Sequence, residues 1–413
     1  VQVSASAFDY SALLRADLPP ASARWNGLPR HHFVGGNNDE ASVPVADLAA
    51  AAEAVLRREG HTLALYGLKS GPLGYRPLRE FIAGKLARDT GIRCSAEDIL
   101  ITSGSLQGLD LVNAVLLAPG DTVIVEEMTY GGAISRLRRL GVNVVGAPVD
   151  HEGLSATALE GALEDLSGRG IRPKYIYTIP TVQNPTASIM SEERRAQILA
   201  LSERFGVPVF EDECYADLVW DGQRPRAMRA MSTDGRVIHI GSFSKTVAPA
   251  LRIGYLLADW QVMSRILAVK NDGGSGAVEQ MVLAEYCPEH FDDHVRKLRA
   301  VLKGKLDVMV ESVHAHFGAT ADIEFDIPPG GIFLWLKLAE GVDTSRLEQL
   351  ALKAGIAINP GAEWMTDAVG GRRRLRLCFA HPSPEVIREG VGLLAEVCRR
   401  EFGVPPAPQG AHR

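Results

Sequence analysis

Ser242-Phe243-Ser244-Lys245 stands directly after a short apolar run, and Arg252 follows close behind. A lysine at a strand exit, among hydroxyls and near an arginine, suits covalent capture of an aldehyde beside a phosphate. The lysine would form a Schiff base, while the hydroxyls and guanidinium held the phosphate. An ordinary surface loop is the alternative for this segment alone. Glu211-Asp212-Glu213-Cys214-Tyr215 also closes an apolar run. Acids at the end of a buried strand are costly unless partnered. A protonated pyridine nitrogen would partner one of them and make its ring an electron sink. A solvated acidic turn would explain these acids too, but not the rest of the set.

Ser103-Gly104-Ser105-Leu106 leads into a helical pattern. Backbone N–H groups at a helix start, with a serine hydroxyl, make a phosphate cradle. A plain N-cap reads the same way. In Pro180–Ala187, Asn184 is held extended by Pro185, so its amide can point into a cleft. A simple Asn-Pro turn is the other reading. Tyr130 can stack on an aromatic ring or pack in a core. Arg376 sits inside the apolar run Arg374–Phe379. A guanidinium there needs an anion, and a carboxylate held by two parallel bonds fits; an exposed edge strand is the alternative. Arg372-Arg373-Arg374 reads as a solvated basic turn.

Something must carry these residues to one place. Asp98–Thr102, Thr122–Val125, Val142–Val145, Lys174–Ile179, Val207–Phe210, Val237–Ile240 and Ile253–Leu257 read as short buried strands. Helical patterns near 105–117, 131–140 and 192–205 lie between them. That alternation predicts an α/β fold: a large domain with a mostly parallel sheet flanked by helices. Ligands bind such sheets at the carboxyl ends of the strands, where the segments above fall. A charged helical region then runs to about Phe317. Strand-like runs follow at Ile323–Ile327, Ile332–Lys337 and Leu375–Phe379, with a helix near Thr344–Ala354. These predict a smaller α+β domain. The expected division is an arm at 1–45 joining the small domain, a large domain at 46–290 and a small domain at 291–413. The Pro- and Gly-containing tail 405–413 is expected to fray.

Composition narrows the choices. The chain has 413 residues, too many for one core of usual size. With 46% hydrophobic and 23% charged residues it reads as an ordinary globular protein. A net charge of −6 gives no support to nucleic-acid binding. No apolar run approaches a membrane span, and no secretory signal is recognisable. Five scattered cysteines without a C-x-x-C pair predict reduced thiols, a cytoplasmic setting and no metal site.

In this order the motifs resemble the fold-type I pyridoxal-phosphate enzymes of aminotransferase class I/II, most closely the 2-aminoadipate aminotransferase and MocR-related branch. The resemblance runs from Gly35-Gly36 through Tyr66–Glu80, Ser103–Leu106, Asn184-Pro185-Thr186, Asp212-x-x-Tyr215, Ser242-x-Ser244-Lys245 and Arg252 to Arg376. It implies pyridoxal 5'-phosphate as cofactor, bound as an aldimine by Lys245, which would also shuttle a proton at the substrate Cα. It implies that Asp212 pairs with the pyridine nitrogen. Tyr215 and Asn184 would bond the phenolic oxygen, and Tyr130 would stack on the ring. Ser105, the Leu106 backbone, Ser242, Ser244 and Arg252 would hold the phosphate. Tyr66 would reach a partner subunit's phosphate, making a homodimer with shared active sites. Arg376 would clamp the substrate carboxylate, approached also by the Gly36 backbone. Asn37-Asn38-Asp39 departs from the family's usual G-x-P-D, and Asn38 would add an amide beside the substrate. Ala187 stands where the N-P-T-G motif usually ends.

The expected activity is transfer of an amino group from an L-amino acid to a 2-oxo acid. The alternative is a non-transaminating enzyme of lyase, cyclase or oxidase type on the same scaffold, since the fate of the substrate depends on geometry at Cα.

Overall fold

Ile99–Ser103 (β1), Thr122–Glu126 (β2), Asn143–Ala147 (β3), Ile176–Thr178 (β4), Val209–Asp212 (β5), Val237–Ser242 (β6) and Ile253–Leu257 (β7) form one sheet. Their Val- and Ile-rich runs are mostly buried, as central strands covered on both faces must be. The computed structural model describes residues 8–16, 18–19, 21–318 and 322–405. The tail expected to fray lies, beyond residue 405, outside the described residues. The strand order is β1-β7-β6-β5-β4-β2-β3. Only β7 runs against its neighbours, β1 and β6. The parallel register aligns Thr178 with Glu211 and Asp212 with Ile240. The carboxyl ends of β4, β5 and β6 therefore lie level, and the loops leaving them share one edge. This is the expected α/β architecture.

Ser105–Leu116 (α1) and Gly131–Arg139 (α2) follow β1 and β2, and Glu192–Phe205 (α3) precedes β5. α3 is capped at both ends. Ser191 accepts from the Arg194 N–H, and Gly206 closes the helix in the left-handed region.

Ala277–Phe317 (α4) is a single helix of 41 residues, about 60 Å long at 1.5 Å per residue. Its first half packs Met281, Leu283, Tyr286 and Phe291 against Ile99, Ile101 and Tyr255 of the large sheet's core. Its second half packs Leu298, Leu302, Leu306 and Met309 into a different core. There it meets Phe333–Lys337 (β8), Asn359–Pro360 (β9) and Arg374–Cys378 (β10), an antiparallel sheet in the order β8-β10-β9. Pro384–Phe402 (α5) lies beside it. The division placed between residues 290 and 291 falls inside α4. His31–His32 pairs in parallel with Ile356–Ala357, so the amino-terminal arm does contribute a strand here.

The run Ile323–Ile327 forms no strand. It makes one bridge, Glu324 to Lys337. Pro328 and Pro329 follow and have no N–H to extend the ladder. Among the described residues no helix is long and apolar enough to cross a membrane.

Candidate active site

A cavity of about 660 Å³ opens at the carboxyl edge of the large sheet, beneath the small one. Every expected site residue except Tyr66 and Asn38 lines it, and together they come from widely separated parts of the chain. Tyr66 is 93% exposed. It lies on a second cavity of about 860 Å³, with Tyr75, Lys270, Gly273 and Gln280.

Lys245 enters from the loop after β6. Its Nζ donates to the Gly36 carbonyl at 2.8 Å and stands 5.7 Å from the centre of the Tyr215 ring. Burial holds its ammonium below the usual lysine range. A Cβ on Gly36 would lie 2.5 Å from that Nζ, so a larger residue here would push the end of the lysine aside.

Ser105 opens α1, whose first turn has no side-chain cap, and Ser105 and Leu106 line the cavity. Gly104 before it has φ +74°, and a Cβ there would strike the Arg252 guanidinium. Arg252 donates to Pro249 O at 3.0 Å and more weakly to the Ser244 hydroxyl and Ser103 O, both at 3.5 Å. The Ser242 hydroxyl accepts from the Ser244 N–H at 3.0 Å. Two serine hydroxyls, a helix start and an exposed guanidinium converge here, which is the donor set a phosphate needs.

Asp212 ends β5. Its Oδ2 accepts from the Tyr177 hydroxyl at 2.7 Å, and its Oδ1 from the Cys214 N–H at 3.1 Å. Burial pushes its carboxyl up despite these neutral donors. A buried carboxylate facing a cavity without a cation of its own fits a protonated ring nitrogen. The Tyr130 ring also lines the cavity, tilted 48° against Trp364 with centroids 5.9 Å apart. The residues present therefore fit pyridoxal phosphate at its phosphate, its ring nitrogen and its aldehyde end.

Arg376 is only 2% exposed. Its guanidinium lies 3.8 Å from the centre of the Phe333 ring and 3.5 Å from that of Trp364. It donates to Asn184 Oδ1 at 3.1 Å, Asn359 Oδ1 at 2.9 Å and Gly35 O at 3.0 Å. Burial lowers its pKa to about 10, so it is charged at neutral pH. Asn184 also points its Nδ2 at the Tyr215 hydroxyl, 3.5 Å away.

Asn38 is buried, but its Nδ2 donates to Val247 O at 3.5 Å and it does not line the cavity. The amide expected beside the substrate is thus turned toward the lysine loop. Phe333, Trp364, Asn359, Tyr177 and the Gly35 carbonyl are functional contacts that sequence reasoning missed. Register could have supplied one of them, since Asn359 pairs directly with Arg376 across β9 and β10.

Residues 35–394 match the family model for aminotransferase class I and II. The chain belongs to that family. Aromatic-amino-acid aminotransferase 1 of Thermococcus litoralis is 31% identical over 90% of this aminotransferase and 88% of its own length. The structure of LysN, an alpha-aminoadipate aminotransferase of Thermus thermophilus complexed with N-(5'-phosphopyridoxyl)-L-leucine, superposes with a TM-score of 0.82. It is 30% identical and covers 91% of this chain and 93% of that one. An uncharacterised helix-turn-helix transcriptional regulator of Bacillus subtilis is 35% identical over 78% of this chain and 65% of the regulator. This aminotransferase is a pyridoxal-phosphate-dependent transferase of fold type I.

Proposed function

We propose that the enzyme moves an amino group from an L-amino acid to a 2-oxo acid, with Lys245 and Arg376 holding the two ends of the reacting unit. One observation carries this. Consecutive carbonyls, Gly35 O and Gly36 O, bind Arg376 and Lys245 respectively. Both cations are thereby held against one short stretch of chain, and both line the same cavity. A cation for the carboxylate and an amine for the reacting end, in one cavity, is what an α-amino acid requires.

When bound, pyridoxal phosphate supplies an aldehyde carbon and an electron-withdrawing ring. Ser105, the Leu106 backbone, Ser242, Ser244 and Arg252 would hold its phosphate. Asp212 would keep the proton on its ring nitrogen, Tyr130 would cover one ring face, and Asn184 and Tyr215 would bond its phenolic oxygen. Lys245 Nζ, with its lowered basicity, would take the proton from the Cα of the amino donor and supply one to the Cα of the 2-oxo acid in the second half of the reaction. Arg376 fixes the carboxylate, and so the orientation of that Cα, within a wall of Phe333 and Trp364.

An absorbance titration with a panel of L-amino acids, without any 2-oxo acid, tests the proposal. At least one donor is expected to bleach the yellow enzyme, and a 2-oxo acid to restore the colour. A loaded enzyme that no donor bleaches, or one that releases ammonia or peroxide instead, overturns it.

The active unit in this reading is a homodimer in which Tyr66 serves the partner subunit's phosphate. Its exposure at the rim of a second large cavity supports this. Tyr66→Phe is expected to weaken cofactor binding by about tenfold, the worth of one hydrogen bond to a charged group. Mixed dimers of the Tyr66→Phe and Lys245→Ala chains carry one site with both residues intact. Half of their sites should regain wild-type cofactor affinity; no recovery on mixing counts against a shared site. We further propose the three-part division given above and a cytoplasmic setting, supported by five free cysteines.

A further inference from the structure

Glu126 ends β2 wholly buried, and no role assigned so far uses it. Its Oε1 accepts from the Thr178 hydroxyl at 2.6 Å and the Ile179 N–H at 3.2 Å. Its Oε2 accepts from Gln183 Nε2 at 2.8 Å and the Thr129 hydroxyl at 3.4 Å. All four donors are neutral. Burial is therefore not offset by a cation, and it pushes the carboxyl up to about 7. From β4 the titratable neighbour is Tyr177, whose phenol burial keeps protonated. From β3 the paired residue is Ala147. The 179–183 segment presents only neutral groups.

Gln183 is the link that matters. Its Nε2 also donates to Met128 O at 2.6 Å. Its Oε1 accepts from both the N–H and the hydroxyl of Thr186, each at 2.8 Å. The amide is thus pinned at both ends and cannot flip without losing both sets of bonds. The next residue is Asn184, which bonds Arg376 and faces Tyr215.

We propose that Glu126 is a positioning residue for the reaction: through Gln183 it fixes Asn184, and through Asn184 the aim of Arg376 at the substrate carboxylate. The inference rests on the reading of Arg376 given above. Ionised Glu126 accepts all four donors. Protonated Glu126 must turn a donor toward one of them. The two hydroxyls can rotate to accept, but the Gln183 NH2 cannot. A protonated carboxyl still accepts from the Gln183 NH2, but more weakly than a carboxylate, so the link is firmest in the ionised form and the KM for the amino donor falls as pH rises through about 7.

Glu126→Gln puts an NH2 among donors, and Gln183→Met cuts the same link from the other side. Each is expected to raise the donor KM about tenfold, the worth of one hydrogen bond. The change in kcat should be smaller, and cofactor absorbance should stay at its wild-type value. The affinity of propanoate, a carboxylate that cannot react, should fall equally. The double variant should be no worse than either single one, because both break one link. The pH dependence of KM around neutrality should vanish in Glu126→Gln. A loaded Glu126→Gln enzyme with wild-type KM and pH profile overturns the assignment. So does a pair of variants that lose only thermal stability, or whose effects add. If Glu126→Gln does not fold, Gln183→Met alone decides between these outcomes. Propanoate affinity that survives Arg376→Ala would instead overturn the underlying reading of Arg376.

Discussion

Lys245→Ala is expected to lower turnover by about 10⁴-fold, the upper range for one acid–base group. In the proposed mechanism the substitution removes both the covalent attachment of the cofactor and the base that serves Cα. It should not unfold the chain. The lost hydrogen bond is to Gly36 O, at the wall of an open cavity where water can replace the ammonium. Circular dichroism should therefore match the wild type while the yellow colour is lost. Added small amines should restore part of the rate, since they can carry the proton but not the attachment. Retention of wild-type turnover would remove Lys245 from the mechanism.

Arg376→Ala should act on binding first. Truncating one partner of a buried charge pair costs about 2–5 kcal/mol, so the donor KM should rise between roughly 30- and 5,000-fold. Cofactor loading should persist, because none of the residues proposed to hold the phosphate is bonded to Arg376. Stability should fall as well. Asn184 Oδ1 loses a donor in a buried setting, and Asn359 Oδ1 and Gly35 O lose theirs in part-buried ones. Arg376→Lys is not a mild substitution. An ammonium cannot fill the flat slot between Phe333 and Trp364, nor reach three acceptors in one plane. It should recover the charge but little of the affinity. Loss of cofactor in Arg376→Ala, with unchanged KM in the loaded fraction, would contradict the assignment. The charge on Arg376 persists well above neutral pH, so a neutral limb in KM belongs to another group.

The large sheet was legible because each of its strands is a short apolar run bounded by helical patterns. The site segments were legible because they leave the carboxyl ends of those strands. Lys245, Asp212 and Ser105 each follow such an end, and a local rule finds them. The Arg376 slot obeys no local rule. Phe333, Asn359, Trp364 and Arg376 meet because β8 and β9 flank β10 in a particular register, with Trp335 and Asn359 both opposite Arg376. Sequence patterns give the strands but not that alignment. Asn38 misled for a related reason: its neighbours suggested the substrate, while packing turned its amide to Val247 O. Glu126 was hidden because a buried acid at a strand end is indistinguishable in sequence from an exposed one.

The helix α4 has a consequence for how such a chain can be rearranged. Its amino-terminal half is the missing wall of one core, and its carboxyl-terminal half is the missing wall of the other. A cut near residue 290 would hand each fragment a stub of the rod and an uncovered apolar face. Neither lobe is therefore a module that can be borrowed, swapped or lost on its own. The cavity lies between them, so the arginine of the small sheet is inherited together with the lysine of the large one.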